Sequence, residues 1–532
     1  MNVAEVVGRT LAELGVAQAF GVVGSGNFVV TNALRAAGVP FVATRHEAGA
    51  ATMADAYSRM SERVAVVSVH QGCGLTNALT GVAEAAKSRT PMIVLAADMP
   101  ASATRDNFRI DQDAAVTALG AVSQRVHSAS TAVADTVRAY RTAVHERRTV
   151  VLNLPLDVQA AAGSLSDIPA LVPPVPVQPD PDAVQELASL ISAARRPVFI
   201  AGRGARGAAR ELRSLASTAG ALLATSAVAH GLFHDDPWAL GIAGGFSSPV
   251  AASLITEADL VVAWGCALTK WTTRKGRLLT GRIAQVDIAP DSAHQPVDLA
   301  VLGDVGQTAA AVAGLLVAQP GYRTDQVLAA LASGPGWPDE DLSTAGHIDP
   351  RQLSVRLDAV LPESRVIAVD SGNFMGYPSA YLSVPDSEGF CFTQAFQSIG
   401  LGLFTAVGAA LAQPDRLPVA AVGDGGFLMS VAELETVVRL KLPMVIIVYN
   451  DSAYGAEVHH FGQADLSTVS FPDTDIAAIA RGFGCSAITV RTLADLAPLT
   501  EWLAGPRAQP FLIDAKIASD GGSWWLADAF TS

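Results

Sequence analysis

Apolar and polar positions along this chain follow two alternating rhythms. Short, almost wholly apolar runs have the length of buried strands, and longer stretches between them have the three-to-four-residue spacing of helices. In the first third the apolar runs are AQAFGVVG (17–24), FVATRHE (41–47), VAVVSVHQGCG (64–74), PMIVLAAD (91–98) and TVVLNLP (149–155). AGAATMADAYSRM and LTNALTGVAEAAKS lie between them with small and apolar residues at helical spacing. Strands that alternate with helices make βαβ units, which build a parallel sheet with helices on both faces. From Pro155 to Pro181 the pattern is lost, and LVPPVPVQPDPDA reads as an extended linker. Alternation resumes with RPVFIAGRGARGAAREL (196–212), ADLVVAWGCAL (258–268) and RIAQVDIAP (282–290), and fades near Leu316. A Gly-, Pro- and Asp-rich crossing follows within 321–350. The third block holds SRVIAVDSGNF (364–374), the small-residue helix QSIGLGLFTAVGAALA (397–412), strands over 418–422 and 444–449, and PFLIDAKI (510–517). The pattern predicts an α/β protein of three doubly wound parallel-sheet domains, over 1–160, 183–320 and 350–532.

Length and composition fit that picture. A chain of 532 residues is too long for one core and suits about three domains. Half of the residues are hydrophobic, as buried parallel strands require. A net charge of −14 does nothing to offset phosphate repulsion, so nucleic acid is not expected as a partner. Cys73, Cys266, Cys391 and Cys485 are scattered without CxxC or metal-ligand spacing, which suits a reducing compartment. The opening MNVAEVVGRTLAELGV reads as an amphipathic helix with acidic residues, not as a signal peptide. No apolar run approaches a membrane span. A cytoplasmic location without a membrane partner is expected.

Candidate chemistry concentrates at strand ends. GDGGFLMSVAELETVVRLKLPMVIIVYND (423–451) begins where one strand meets a glycine-rich turn and finishes at the end of the next strand. Asp424 and Asp451 therefore sit at strand carboxyl ends, where open α/β sheets bind ligands. Gly425 and Gly426 open a helix whose amides suit a phosphate, and two carboxylates suit Mg²⁺. An ordinary strand-to-helix turn fits the same letters. Glu47, ending the run Arg45-His46-Glu47, is either an exposed helix cap favoured by the dipole or a functional carboxyl. In GRGARG, Gly202, Gly204 and Gly207 are not followed by a well-placed acidic ribose partner, so helix–strand packing is expected there rather than a dinucleotide. The tail GGSWWLADAFTS carries two adjacent tryptophans, able to cover an active site or to pack the terminus.

These segments together resemble the thiamine-diphosphate enzymes of the acetohydroxyacid synthase and benzoylformate or pyruvate decarboxylase group. GDG at 423–425, a helix and a strand, and then Asn450-Asp451 match that family's GDG…NN cofactor motif, with Asp in place of the second Asn. RHE-x-x-A at 45–50, FGVVGSGN (20–27), VHQGCGLTNALTGVAEA (69–85) and SIGLGLFTAVGAALA (398–412) match further family segments in the same order. The resemblance implies pyrimidine-binding, central and diphosphate-binding domains. It implies thiamine diphosphate and Mg²⁺ as cofactors, the metal held by Asp424, Asp451 and the Ala453 carbonyl. Gly423, Gly425, Gly426, Asn373, Tyr454 and Gly455 would line the cofactor site. The backbone carbonyl of Gln397 would hold the 4′-amino group, and Ile399 would bend the cofactor. Glu47 would meet N1′ of the aminopyrimidine in a pocket that shelters a shared proton. It would come from one subunit and the GDG site from the other, so a homodimer with shared sites is implied, and a homotetramer is expected. FAD-binding members carry an RFDDR-type run in the central domain. Here that place reads CALTKWTTRKGRLL (266–279), and FAD is not expected.

The implied substrate is a small 2-oxo acid. Chain-long resemblance implies decarboxylation followed by ligation to a second carbonyl compound, an acetolactate-synthase-like carboligase. His70 and Glu457 match proton donors of the decarboxylases and imply, as the alternative, the release of an aldehyde, but the chain-long resemblance outweighs two positions and the carboligase is the expected activity. Ser25 and Gln71 complete the candidate substrate pocket. A hydrogen-bonded core histidine and a solvated helix glutamate remain the plainer readings of His70 and Glu457, and His459 and His460 are left without a role. A non-catalytic relative would have lost Glu47 or the metal residues, and both are present.

Overall fold

The computed structural model describes residues 1–289, 292–338, 340–520 and 524–526. Its strands form three six-stranded sheets, and every strand pairing is parallel. The first sheet contains β1 (Gln18–Gly21), β2 (Phe41–Ala43), β3 (Ala65–Val69), β4 (Met92–Asp98), β5 (Val122–Arg125) and β6 (Thr149–Pro155), in the order β2-β1-β3-β4-β6-β5. The second contains β7 (Pro197–Ala201), β8 (Leu222–Thr225), β9 (Ala239–Ile242), β10 (Leu260–Trp264), β11 (Arg282–Asp287) and β12 (Leu299–Leu302), in the order β12-β11-β10-β7-β8-β9. The third contains β13 (Arg365–Val369), β14 (Phe390–Phe392), β15 (Leu417–Gly423), β16 (Val445–Asn450), β17 (Ser486–Val490) and β18 (Phe511–Lys516), in the order β14-β13-β15-β16-β18-β17. The expected α/β architecture of three parallel sheets is therefore present. The first and third sheets repeat one topology, and the middle sheet follows another.

Strands that the apolar pattern did not predict are short or lie at sheet edges. β5 is VSQR, half-buried throughout, and β12 is four residues long. An edge strand needs only one apolar neighbour, so it lacks the continuous apolar run that marks a central strand. Two glycines of GRGARG, Gly202 and Gly204, are used for close packing, whereas a side chain at Gly207 would meet open space. The Gly202 amide donates to the Trp264 carbonyl at 2.8 Å and the Gly204 amide to the Gly265 carbonyl at 3.1 Å. Of the tail, Trp525 is buried edge-on to Tyr377 at 4.8 Å, which supports packing of the terminus. Residues 521–523 and 527–532 of that tail, Pro290 at the end of RIAQVDIAP, and residues 291 and 339 lie outside the described residues. No helix among the described residues is long and apolar enough to cross a membrane.

The first and third units share one core. Ala50, Ala54 and Tyr57 of the Glu47–Ser61 helix cluster with Leu403, Phe404 and Val407 of the Gly402–Ala412 helix. Small residues let the two backbones approach. A Cβ at Gly408 would lie 2.2 Å from the Met53 carbonyl oxygen and 2.9 Å from the Ala56 Cβ. Arg59 bridges the same interface from a buried position. It donates to Asp55 at 2.6 Å, to Glu84 at 2.8 Å and to the Phe392 carbonyl at 3.0 Å. Gly408→Val is expected to force the helices apart and destabilise the folded chain by about 2 kcal/mol or more. A chemical denaturation midpoint equal to that of the parent chain would show that the contact is not tight.

Candidate functional site

One half of the candidate site lies at the carboxyl edge of the first sheet. Ser25 is on the turn after β1, Glu47 follows β2, and His70 and Gln71 follow β3. β1 and β3 are adjacent though not consecutive, so the chain order reverses there, and such switch points open a crevice. Glu47 begins its helix behind an extended His46, whose Nδ1 accepts the Ala48 amide. The side chain is 9% exposed, and Asn77 donates to its Oε2 at 3.1 Å. His70 is half-buried with Nδ1 3.1 Å from the Gln71 carbonyl and Nε2 3.4 Å from the Ser25 hydroxyl. A carbonyl only accepts, so Nδ1 carries the proton, and Nε2 of the neutral ring faces Ser25 as acceptor. The Phe108 ring stands edge-on to the imidazole at 5.0 Å. Gln71 is buried, and its Oε1 has no hydrogen-bond partner among the described residues. A buried acceptor left unmatched is costly unless a ligand supplies the donor.

The other half lies at the carboxyl edge of the third sheet. β15 and β16 are paired, so Asp424 at the end of one and Asp451 at the end of the other stand side by side. The two carboxyls are close enough to influence each other's ionisation. Burial raises Asp424 to about 6. Burial, and then the charge of Asp424, raises Asp451 to about 7. Two carboxylates in one sheltered space repel until a proton or a cation lies between them. The Ala453 amide donates to Asp451 Oδ1 at 3.2 Å, and no hydrogen bond among the described residues ends on the Ala453 carbonyl. A Cβ at Gly455 would lie 2.3 Å from Asp451 Oδ2 and 3.1 Å from the Asn373 Cβ, so these residues close on one another and leave no room for a side chain there. The Tyr454 ring packs over Gly425, where a Cβ would lie 2.7 Å from it. Two carboxylates and a free carbonyl are hard oxygen donors, and they stand beside a glycine-rich helix start. That set fits a divalent cation carrying a diphosphate. Among the described residues no cluster of three or more His, Cys, Asp or Glu could hold a metal, so a cation here would draw on the backbone.

Between these halves runs the segment 393–402, with Gln397 and Ile399. Gln397 has φ of 62°, in the left-handed region that a non-glycine residue occupies only when its surroundings hold it there. Its far end is held by Asp370, which sequence reasoning quoted within Asp370-Ser371-Gly372-Asn373 but gave no role. Asp370 Oδ1 accepts the Ser371 and Leu401 amides at 2.8 and 3.1 Å, and Oδ2 accepts the Gly400 amide at 3.0 Å. Burial pushes this carboxyl up to about 7, and the amides oppose that shift. Two further residues were missed. Asn77, which orients Glu47, lies in the quoted LTN segment on the helix after His70. Asn450 donates to Asp514 Oδ1 at 2.8 Å and accepts the Ser452 amide at 3.1 Å, which shapes the turn carrying Asp451.

Ser25, Glu47, His70 and Gln71 thus gather in the first half. Asn373, Gly423, Asp424, Gly425, Gly426, Asp451, Ala453, Tyr454 and Gly455 gather in the second. Glu457 is exposed on the Gly455–His460 helix, in the second half, so one chain does not place it with His70.

Comparison with known proteins gives three family matches. The thiamine pyrophosphate enzyme N-terminal TPP binding domain matches residues 1–119, the central domain 184–312 and the C-terminal TPP binding domain 370–515. A Pseudomonas aeruginosa protein described as a probable 2-ketoarginine decarboxylase is 31% identical, over 92% of this chain and 89% of its own. A Rhodobacter capsulatus sulfoacetaldehyde acetyltransferase is 27% identical, over 100% and 97%. A Bacillus subtilis acetolactate synthase is 27% identical, over 97% and 93%. A solved Mycobacterium smegmatis structure, assigned to the thiamin diphosphate-dependent enzymes, superposes with a TM-score of 0.82 at 24% identity, covering 97% of this chain and all of that one.

The paired carboxyls set a pH dependence. Unfolded, both would release their protons near the ordinary carboxyl range, about 4. Folded and metal-free they retain protons to about 6 and 7, so the folded state binds more protons across that window and its stability falls as pH rises through it. The thermal midpoint of metal-free protein is expected to drop between about pH 5 and about pH 8, and Mg²⁺ to raise it most at the upper end. Asp424→Asn should weaken both effects, leaving the part of the pH dependence that burial gives Asp451. Midpoints that ignore Mg²⁺ at the higher pH would rule out a cation at this pair.

Proposed function

The chain belongs to the thiamine pyrophosphate enzymes, in the acetohydroxyacid synthase and 2-oxo-acid decarboxylase group, and from that premise we propose that it decarboxylates a small 2-oxo acid and releases the remainder as an aldehyde. The observation that carries this reading is the neighbourhood of His70 and Glu47. A Cβ at Gly74 would lie 3.1 Å from the His70 Cβ and 3.5 Å from Glu47 Oε1, so an imidazole and a carboxyl share one wall. Thiamine diphosphate, when bound, supplies the carbon nucleophile and accepts the electron pair set free as CO₂ leaves.

The protein's part is to bind, orient and move protons. Asp424, Asp451 and the Ala453 carbonyl would hold Mg²⁺, and the amides at the start of the Asp424–Ser430 helix would receive the diphosphate. Gly423, Gly425, Gly426, Asn373, Tyr454 and Gly455 line that end. The Gln397 carbonyl would take the amino group of the pyrimidine, and Ile399 would pack against the cofactor. Glu47, kept in place by Asn77, holds a proton at the ring nitrogen. Ser25 and His70 form the proton-delivery pair at the reacting carbon once Nε2 has taken a proton from solvent, and the buried Gln71 side chain lines the same pocket. Glu457 serves as a second donor from the other half.

The two halves require two copies of the chain. Large apolar side chains beside them are exposed in one chain, among them Phe28 at 57% and Met429 at 55%, a cover that a second subunit supplies. We assign a homodimer with shared sites as the working unit, doubling to a tetramer. Carboligation is the second reading, favoured by chain-long similarity to acetolactate synthases and sulfoacetaldehyde acetyltransferases.

A panel of pyruvate, benzoylformate, branched and basic 2-oxo acids, with product analysis, separates these readings. Aldehyde is expected as the sole product, and an acyloin or a hydroxy-oxo acid would transfer the assignment to carboligation. Glu47→Gln is expected to abolish turnover while leaving the fold intact. His70→Ala should slow aldehyde release about a hundredfold, the usual worth of a positioned proton donor. Full activity in Glu47→Gln would discard the cofactor assignment.

A further inference from the structure

The segments that carry Glu47 and Gln397 are each held by a carboxylate from the other unit. Glu433, on the third unit between β15 and β16, is 1% exposed. Its Oε1 accepts two consecutive amides of the first unit, Arg45 at 2.8 Å and His46 at 3.0 Å. Those amides run directly into Glu47. Glu84, on the first unit's Cys73–Lys87 helix, has no solvent exposure. It accepts two consecutive amides of the third unit, Ala395 on Oε1 at 3.0 Å and Phe396 on Oε2 at 2.6 Å. Those amides run directly into Gln397. Ala395, Phe396 and Gln397 are themselves exposed, so this segment owes little of its shape to burial. With Asp370 on Gly400 and Leu401, the segment carrying the left-handed Gln397 is fixed at both ends.

We propose that Glu84 and Glu433 are reciprocal positioning residues: each unit lends the other a buried carboxylate that seats the two amides leading into its cofactor-contacting segment. The proposal rests on the thiamine-diphosphate reading above. A carboxylate that accepts two successive amides fixes the orientation of the peptide between them, and the residue that follows inherits that direction. Both glutamates are buried on the amides they accept. Glu433 sets where the Glu47 carboxyl starts, and Glu84 sets where the Gln397 carbonyl points.

The oxygen assignments make the two sites respond differently to one substitution. At Glu433 both amides converge on Oε1, and Oε2 takes the Thr436 hydroxyl. A glutamine can keep its oxygen on the amides and turn its NH₂ to the Thr436 oxygen, which is able to accept. At Glu84 the amides are divided between the two oxygens, and Arg59 and Ser88 also donate to Oε1. A glutamine there must aim its NH₂ at an N–H, donor against donor. A role in packing alone would treat the two substitutions alike, since glutamine has nearly the volume of glutamate.

The test is the affinity of the full-length protein for thiamine diphosphate with Mg²⁺, read by calorimetry and by the near-ultraviolet circular dichroism of the bound aminopyrimidine. The thermal midpoint of each cofactor-free variant is measured alongside. E433Q is expected to bind within about twofold of the parent, while E84Q and E433A bind about tenfold more weakly, the cost of one buried amide left unmatched. Titrations are run at a temperature at which far-ultraviolet circular dichroism shows every variant folded. If E84Q binds like the parent and differs only in midpoint, or if E433Q is as weak as E433A, the proposal is overturned. Should E84Q fail to fold, the E433Q and E433A pair decides the matter by the same contrast. A parent chain that does not bind thiamine diphosphate at all would sink the functional reading and this proposal with it, whereas normal binding with indifferent variants sinks the proposal alone.

Discussion

Close contact between two small-residue helices is the constraint from which most of this structure follows. The Glu47–Ser61 and Gly402–Ala412 helices approach until the Met53 carbonyl occupies the space a side chain at Gly408 would need. At that separation the first and third units have one core, and polar groups trapped in the seam must find partners across it. Arg59 meets Asp55, Glu84 and the Phe392 carbonyl, while Glu433 meets the Arg45 and His46 amides. Each of these contacts depends on the backbone spacing that glycine and alanine allow. An unpaired member would cost several kcal/mol in such surroundings. The interface is therefore both tight and directional, and the segments that flank it inherit their positions from it.

How much of this was legible in the sequence depended on distance along the chain. Asp424 and Asp451 flank one strand–helix–strand unit, so their convergence follows from the parallel pairing of β15 with β16. Three sheets and their order were legible because central parallel strands are continuous apolar runs. β5 was not, since its VSQR sequence is half-buried at an edge. Glu84 and Glu433 were illegible for a different reason. Each sits in a helical stretch where an isolated acid reads as a solvated face. Their partners lie 311 and 388 residues away, at Ala395 and Arg45. The amides they accept belong to backbone, which carries no sequence signal. Asn77 was half-legible. It stood within a recognised segment, but only the fold shows that its amide reaches Glu47 Oε2.

The first and third units share a strand order, yet they use the same crevice for different purposes. In both, the switch point lies between the first and third strands of the sheet. In the first unit it gathers a histidine, a serine and a glutamine on the same edge as Glu47. In the third it places Asp370 beneath the Gly400 and Leu401 amides, next to the strand end that carries Asp424. The shared strand order gives two equivalent edges, and their turn residues differ, imidazole and amide side chains at one and paired carboxyls at the other. The middle unit, with a different strand order, closes its own crevice by packing Gly202 and Gly204 onto the turn at Gly265.

The acid at position 451 gives the charge-handling edge its character. An asparagine there would accept a cation as well and would leave Asp424 without a like-charged neighbour. With Asp451 present the pair is held up at about 6 and 7, so without a cation it stores a proton near neutral pH. The surroundings limit that penalty. Lys516 is buried behind the turn, pairs with Asp514 at 3.1 Å, and lowers Asp424 through its charge. Asn450 ties the same turn to Asp514. The extra carboxylate thus costs stability only where protons and cations are both scarce. In return it makes cation and proton exclusive occupants of one space. On the proposed assignment, a cation at this pair would compete with that proton, and its hold on Asp424 and Asp451 would strengthen as pH rises through neutrality.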